Sequence, residues 1–228
     1  MKEENLLFNM FAAKMSTKII FETDRLLVRE FNLEDANFII ELLNTPSWLQ
    51  FIGDRSVSTV KDAEGYLKNG PIKSYKENGF GLWMVAFKDS LRPIGMCGLL
   101  KRDALDDVDI GFALLPEYAG SGYGFEAAAA TLRYAKNSLT ISKVIAITSP
   151  ENITSINLLG KLGLRFARTA YITGDKPSLV FEPEGNSNDL SEINTLTELF
   201  FEVFTSTNGR IPDVKNIHNF FVKEIGRA

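Results

Sequence analysis

The sequence predicts a mixed α/β protein whose central sheet is mostly antiparallel and carries helices on both faces. Short runs of β-branched and aromatic residues alternate with longer segments that have apolar residues at helical spacing. Near the middle of the chain, a strand, a glycine-rich turn, a helix and another strand follow in order. That order makes those two strands parallel, because a crossover helix returns the chain to the same end of the sheet.

The predicted strands are short and bounded by turn-forming residues. They cover residues 19–31 (one strand or two), 80–87, 94–101, 107–115, 143–148, 164–172 and 179–182. Three of them, from 80 to 115, are apolar on both faces and joined by short loops. This pattern predicts an antiparallel meander between two helical layers.

The predicted helices cover residues 35–44, 58–76, 122–138 and 152–161. Pro46 is expected to end the first helix, and Thr59 or the serine before it can cap the second. In the third helix, Phe125, Ala129 and Leu132 are expected to face the sheet.

The chain divides into three segments. Residues 1–17 are expected to be a leader or short helix, and residues 18–183 the α/β domain. Residues 184–228 are expected to be a linker and a helical C-terminal extension, or the start of a second domain. Five of the 17 phenylalanines fall in that extension. Their apolar stripe needs a partner, and a homodimer through these helices would supply one.

Composition excludes several classes of protein. The chain of 228 residues is 45% hydrophobic and 24% charged, which is typical of a soluble globular protein. A net charge of −4 gives no signature of nucleic-acid binding and mildly favours cationic acceptors. One histidine and one cysteine cannot build a Cys/His zinc site, so we expect no metal. No apolar run is long enough to span a membrane, and we expect a cytoplasmic protein.

The glycine-rich turn at residues 119–126 (AGSGYGFE) is the strongest chemical feature. Glycines allow close backbone approach, and the free N–H groups at a helix start favour a phosphate. A P-loop would need a Gly-Lys pair, which is missing here. A dinucleotide-binding turn would need glycine where Phe125 stands and an acid after the next strand, which ends at Thr148. A turn without a ligand is the remaining alternative.

Four segments in register resemble the GNAT superfamily of N-acetyltransferases, in its ribosomal-protein N-terminal acetyltransferase (RimJ/RimL-like) branch. They are residues 21–29 (FETDRLLVR), 109–112 (DIGF), 120–127 (GSGYGFEA) and 152–164 (NITSINLLGKLGL). The resemblance covers about residues 19–182. It implies a sheet splayed between the fourth and fifth strands of the family, with acetyl-CoA in the split.

By that resemblance, acetyl-CoA is the co-substrate, and the acceptor is a primary amine of a protein N-terminus or a small molecule. The turn would hold the pyrophosphate, and backbone groups of the family's fourth strand would hold the pantetheine arm. Asn152 and Ser155 would contact acetyl-CoA near its thiol end, where Ser155 would also take part in catalysis. The cofactor-binding residues so implied are Phe112, Ala113, Leu114, Ala119, Gly120, Ser121, Gly122, Tyr123, Gly124, Phe125, Asn152 and Ser155.

Direct attack by an amine needs a base, because the ammonium form must first lose a proton. The candidate carboxylates are Asp109, Asp107 and Glu30. Asp109 takes the place of a frequent family glutamate and is the expected catalytic base, although a structural role as partner of Arg102 explains it equally well.

Other candidate side chains are expected either to have structural roles or to shape the site. Trp48, Phe51 and Tyr75 either pack in the core or shape an acceptor pocket. Arg25 and Arg29 alternate along one strand, as expected of a solvated or ion-paired face rather than of a substrate clamp. Cys97 lies in a central apolar strand, where a buried structural thiol is expected.

Two positions depart from the family pattern. Ala119 stands where the loop usually begins with Gln or Arg, and Leu159 stands where many relatives have a tyrosine general acid. A thiol pKa of about 8.5 lets the thiolate leave without that acid.

We therefore expect an acetyl-CoA-dependent N-acetyltransferase that works by direct attack in a ternary complex. The two departures favour a non-catalytic acyl-CoA-binding or regulatory module as the alternative. A different nucleotide-binding α/β protein is a third hypothesis.

Overall fold

An eight-stranded sheet organises residues 17–172 and 176–184, which are the residues that the computed structural model describes. Its strands are β1 (Ile19–Glu22), β2 (Leu26–Arg29), β3 (Leu82–Phe87), β4 (Pro93–Leu100), β5 (Val108–Leu114), β6 (Val144–Thr148), β7 (Leu164–Ala170) and β8 (Ser178–Pro183). They lie side by side in the order β1-β2-β3-β4-β5-β6-β8-β7. Neighbours are antiparallel except β5 and β6, which are parallel. The predicted meander and the predicted parallel pair are both confirmed.

The described helices are α1 (Ala36–Leu43), α2 (Pro46–Phe51), α3 (Val60–Asn69), α4 (Pro71–Asn78), α5 (Tyr123–Ser138) and α6 (Ile153–Lys161). The single helix predicted for 58–76 is wrong, because the chain forms α3 and α4 there. Gly70 between them is not helical, with φ −104° and ψ −103°. Pro71 then begins α4, since a proline lacks only an N–H that the first helical position does not use.

Pro46 begins a helix as well as following one. The sequence predicted only that α1 would stop before it. In the structure Thr45 has an extended backbone, and its hydroxyl accepts a hydrogen bond from the Trp48 N–H at 3.4 Å. This cap and the fixed φ of Pro46 start α2 at once, which brings Trp48 and Phe51 to the face of the sheet.

Alternate residues of the central strands point into two separate cores. Trp83 on β3 and Cys97 on β4 belong to the core that includes α5 and α6. Met84 and Met96, their neighbours in sequence, belong to the core that includes α1, α2 and α3. Side chains alternate along a strand, so helices cover both faces of the sheet, as predicted.

The face of α5 that packs on the sheet consists of small residues. They are Gly124, Ala127, Ala128, Ala130, Thr131 and Ala135. Of the predicted face of Phe125, Ala129 and Leu132, only Phe125 is wrong: it is 42% exposed, whereas Ala129 is half-buried and Leu132 packs against the core. Small residues let the helix axis approach the strands closely: a Cβ at Gly124 would lie only 3.2 Å from Leu158 Cδ1.

Residues 1–16 and 185–228 lie outside the described residues, and with them almost all of the predicted leader and C-terminal extension. No described helix is long and apolar enough to cross a bilayer.

A bidentate ion pair joins β2 to the start of α1. Arg29 donates from Nη1 and Nη2 to the two Asp35 carboxylate oxygens at 2.9 and 2.7 Å. The same carboxylate accepts the Asn32 N–H at 2.9 Å and thereby caps the turn before α1. The two charged side chains are only 17% and 9% exposed. Arg29 is thus ion-paired, as the sequence predicted.

Replacing Asp35 with Asn should lower the free energy of unfolding by about 3 kcal/mol, because the half-buried Arg29 charge loses its partner. The control is Glu77→Gln: Glu77 pairs with Lys73 at 3.7 Å, and both side chains are 59% exposed. Loss of that exposed pair should cost less than about 0.5 kcal/mol. Urea unfolding measures both variants, and equally small losses would contradict a structural role for the Arg29–Asp35 pair.

Candidate active site

The parallel pairing of β5 with β6 is short, and the strands separate beyond it. Val108 to Ile110 pair with Val144 to Ala146. The rest of β5 pairs with β4 alone, while the end of β6 stays paired with β8. A V-shaped gap opens between them, and a cavity of about 250 Å³ lies there. This gap lies at the strands for which the family resemblance implied a splay.

The free edge of β5 presents backbone groups to the gap. The Leu115 N–H donates to the Ile94 carbonyl oxygen at 2.9 Å, on the β4 side. Successive residues of a strand direct their N–H and C=O groups to opposite sides. Phe112 and Leu114 therefore direct theirs into the gap, where an extended ligand can bind as an added strand does.

The glycine-rich turn ends at the start of α5. Gly120 and Gly122 have φ of +76° and +82°, the left-handed region that glycine adopts most readily. The Glu126 N–H is bonded to the Gly122 carbonyl oxygen at 3.0 Å. The N–H groups of residues 123–125 have no acceptor within the described part of the chain. They lie at the positive end of the helix dipole, which makes this turn suitable for a phosphate or pyrophosphate.

Glu126 fastens this turn to the connection between β1 and β2. Its carboxylate accepts hydrogen bonds from Thr23 Oγ1 at 2.6 Å, Arg25 N at 3.0 Å and Arg25 Nε at 2.6 Å. Arg25 also donates to the Ser121 carbonyl oxygen at 3.3 Å and lies 4.3 Å from the centre of the Tyr123 ring. Burial raises the pKa of Glu126, but these hydrogen bonds outweigh it and hold the pKa below its ordinary value. Arg25 is therefore ion-paired, as predicted, and it orients the turn.

Asp109 on β5 lines the cavity and is 1% exposed. Arg102 Nε donates to both carboxylate oxygens, at 2.9 and 3.1 Å. Burial raises the pKa of Asp109, and the nearby Arg102 charge reduces this effect without cancelling it. The two readings from the sequence, a base at the site and a partner of Arg102, are compatible in this geometry.

The other two candidate bases are less well placed. Asp107 pairs with Lys143 Nζ at 2.9 Å, and Glu30 pairs with Lys18 Nζ at 3.2 Å. Neither of them lines the cavity. Geometry therefore favours Asp109 among the three carboxylates.

The start of α6 forms another wall of the cavity. Asn152 caps this helix, because its Oδ1 accepts the Ser155 N–H at 3.0 Å. Asn152, Ser155 and the buried Leu159 all line the cavity. An apolar side chain therefore occupies the position at which the family resemblance places a tyrosine.

The structure separates the predicted site residues into two neighbouring groups. Those that line the cavity are Asp109, Phe112, Ala113, Asn152 and Ser155. Leu114 and the turn of residues 119–125 lie outside the lining. Leu114 Cδ1 is 3.6 Å from the Cβ position of Gly124, so β5 leads from the cavity to the turn. Ala119 is exposed, and its N–H donates to the Pro116 carbonyl oxygen at 3.1 Å.

Some cavity residues had no signal in the sequence. Arg55, in the loop after α2, and Tyr66, on α3, both line the cavity together with Trp48 and Phe51. No motif or spacing connects these positions to Asp109. Tyr75 lies elsewhere: its hydroxyl donates to the Leu82 carbonyl oxygen and accepts the Phe31 N–H, which is a structural role.

Cys97 is buried, and its thiol lies 3.4 Å from the Thr131 hydroxyl. Burial raises the pKa of this thiol to about 12, so it is not a thiolate at neutral pH. It is structural, as predicted. Among the described residues no group of three His, Cys, Asp or Glu side chains lies close enough to hold a metal ion.

Comparison with known proteins agrees with this geometry. The sequence model of the family described as "Acetyltransferase (GNAT) domain" matches residues 25–165. The chain belongs to the GNAT acetyltransferase family. Members use acetyl-CoA and are acetyltransferases, which confirms the class of enzyme predicted from the motifs.

Individual relatives and solved structures are also similar to this chain over most of the described domain. The uncharacterized N-acetyltransferase YnaD of Bacillus subtilis (strain 168) is 29% identical over 143 residues, 63% of this chain and 81% of the relative. An acetyltransferase from Agrobacterium tumefaciens has a TM-score of 0.63 at 20% identity, over 72% of this chain and 94% of that one. The ribosomal-protein-S5-alanine acetyltransferase from Vibrio fischeri has a TM-score of 0.61 at 21% identity, over 74% and 98%. At these identities the two structures establish the fold alone.

Replacing Gly122 with Val should weaken acetyl-CoA binding about a hundredfold, because the new Cβ would lie 3.4 Å from Arg25 Nη2 and the side chain would disturb a turn whose free N–H groups are expected to bind the pyrophosphate. The left-handed φ of +82° adds a strain of about 1–2 kcal/mol. Calorimetric titration measures the affinity.

Gly79→Val is the matched control. Gly79 has φ +76° and open space around its Cβ position, so it carries the same strain far from the turn. It should lose stability and keep its affinity for acetyl-CoA. Unchanged affinity in Gly122→Val would contradict the assignment of the turn to the pyrophosphate.

Proposed function

We propose that this GNAT protein transfers the acetyl group of acetyl-CoA to a primary amine by direct attack, with both substrates bound at once. The observation that carries the proposal is the gap between β5 and β6. Its cavity holds a free strand edge and a buried carboxylate, and β5 leads from there to the glycine-rich turn at the start of α5. Acetyl-CoA matches these features from end to end. Its thioester corresponds to the carboxylate, its extended pantetheine arm to the strand edge, and its pyrophosphate to the glycine-rich turn.

In this proposal acetyl-CoA binds mainly to backbone groups. The N–H groups of residues 121–125 hold the pyrophosphate, and the Phe112 and Leu114 backbone groups hold the pantetheine arm beside Ala113. Ala119 contributes backbone only, because its methyl group offers no polar contact. Asn152 and Ser155 contact the thiol end from the start of α6, where the Ser155 hydroxyl can donate to the departing sulfur.

Asp109 is the proposed base. It accepts a proton from the acceptor ammonium, directly or through one water, and thereby frees the lone pair that attacks the thioester carbonyl carbon. Its raised pKa makes it a stronger base than an exposed aspartate. Arg102 keeps the buried carboxylate oriented through both oxygens. Free N–H groups on β5 stabilise the negative charge that develops on the carbonyl oxygen.

A non-catalytic acyl-CoA-binding module is the second candidate, and Leu159 is the observation that favours it. A buried leucine in the cavity cannot protonate the departing thiolate. Catalysis is still feasible, because a thiol with a pKa of about 8.5 is a fair leaving group.

A measurement of turnover distinguishes the N-acetyltransferase from the non-catalytic acyl-CoA-binding module. Purified protein is mixed with acetyl-CoA and a panel of peptide N-termini and small amines, and free CoA thiol is measured. Acceptor-dependent thiol release with a matching acetylated product supports the enzyme. Tight acetyl-CoA binding without acceptor-dependent release would support the module.

Asp109→Asn should lower kcat at neutral pH about a hundredfold, a typical contribution of a general base, and should leave acetyl-CoA affinity unchanged. Wild-type activity should fall as pH falls through the raised pKa of Asp109, because protonation removes the base. This acid limb should be missing from the pH profile of the variant.

Asp107→Asn is the control for that experiment. Asp107 is also a carboxylate paired with a cation, but it lies outside the cavity. It should keep wild-type kcat and the acid limb. Melting temperatures of both variants test whether an unpaired Arg102 merely unfolds the protein, and full activity of folded Asp109→Asn would exclude Asp109 as the base.

A further inference from the structure

The part of the cavity in front of Asp109 has an excess of positive charge. Its charged lining residues, within the described ranges, are Arg55, Arg102 and Asp109. Arg102 and Asp109 are bonded to each other. Arg55 is therefore the charge that nothing in the cavity balances.

Arg55 is available to a ligand. It is exposed, and no hydrogen bond or ion pair links it to another described residue. Asp54, the neighbouring carboxylate, accepts the Ser56 N–H at 2.6 Å and does not line the cavity. Arg55 lies close enough to Tyr66 that its charge opposes the rise in the Tyr66 pKa caused by burial.

Two aromatic side chains with unpaired polar groups line the cavity together with this cation. Trp48 is 5% exposed, and its Nε1 donor is buried without a partner. The Tyr66 hydroxyl also has no hydrogen-bond partner among the described residues. Phe51 lines the same cavity. An unpaired buried donor such as Trp48 Nε1 is costly unless a ligand satisfies it. Trp48 Nε1 and the Tyr66 hydroxyl can both donate to an anion.

We propose that the acceptor is a small amine that carries a carboxylate at its other end. Its amine lies at Asp109 and its carboxylate at Arg55, with an apolar spacer along Trp48 and Phe51. This inference rests on the proposed N-acetyltransferase function and names the substrate class of that site.

The same charges argue against polyamine acceptors. A second ammonium group would meet Arg55 in a site whose one lining carboxylate, among the residues described, is already bonded to Arg102. The whole-chain charge of −4 favoured cationic acceptors. The local charge of the cavity is the better guide, because screening limits exposed charges to about 8–10 Å at physiological salt.

The test compares three acceptors of equal chain length that differ only at the far end: an ω-amino carboxylate, an amino alcohol and a diamine. The comparison is repeated at several chain lengths, because the amine-to-carboxylate distance that fits the site must be determined. For wild type we expect kcat/KM to be highest for the amino carboxylate, about five- to tenfold above the amino alcohol, with the diamine lowest.

Variants of Arg55 identify the residue responsible. Arg55→Gln should remove the preference for the carboxylate, and Arg55→Glu should favour the diamine over the amino carboxylate. The readout for both variants is the ratio of kcat/KM between the acceptors, which a general loss of activity leaves unchanged. Arg133→Glu makes the same charge change at an exposed site on α5 outside the cavity, and it should retain the wild-type order of acceptors.

The outcomes separate this inference from the proposed function. Two results would overturn the inference and leave the proposed N-acetyltransferase function intact. One is acetylation of the amino alcohol with no preference for the amino carboxylate. The other is a preference for the amino carboxylate that Arg55→Glu leaves unchanged. Acetyl-CoA binding with no turnover of any amine would overturn the proposed function and this inference with it.

Discussion

The separation of β5 from β6 is the constraint on which the rest of the site depends. Only three residues of each strand pair, and each strand then remains hydrogen-bonded to its other neighbour alone. A continuous sheet would have satisfied the Phe112 and Leu114 backbone groups internally and buried Asp109 without access. Because the strands diverge, an unfilled strand edge, a carboxylate and a helix start share one gap. Ligand groups can there take the place of missing sheet and helix hydrogen bonds.

Two charged networks hold the walls of this gap. At one end, Glu126 ties the glycine-rich turn to Thr23 and Arg25, so the N–H groups of the turn are oriented before any ligand arrives. Preorganised donors lose less free energy on binding than mobile ones. On the other face of the sheet, the Arg29–Asp35 pair fixes the start of α1. The chain then continues through α2 to Arg55, so this pair indirectly places the proposed acceptor pocket.

Local patterns predicted most of the fold, and they failed where tertiary packing decides. Strand alternation, the meander and the parallel pair followed from residue types and loop lengths. The orientation of α5 followed only in part, because Leu132 packs against the core but close packing of the helix on the sheet favours glycine, alanine and threonine where Phe125 was expected. The turn and Asp109 were recognisable by motif. Arg55 and Tyr66 were not, because only the packing of α2 and α3 brings them to a strand more than forty positions later.

A single bound acetyl-CoA should bridge the β5 edge and the start of α5. Amide hydrogen exchange with and without acetyl-CoA tests it most directly, because each N–H reports separately. We expect slower exchange at Phe112 and Leu114 and at Tyr123, Gly124 and Phe125 when acetyl-CoA is bound, with no change at Gly79. Saturating acetyl-CoA that leaves these amides unchanged, or protects only amides elsewhere, would contradict it.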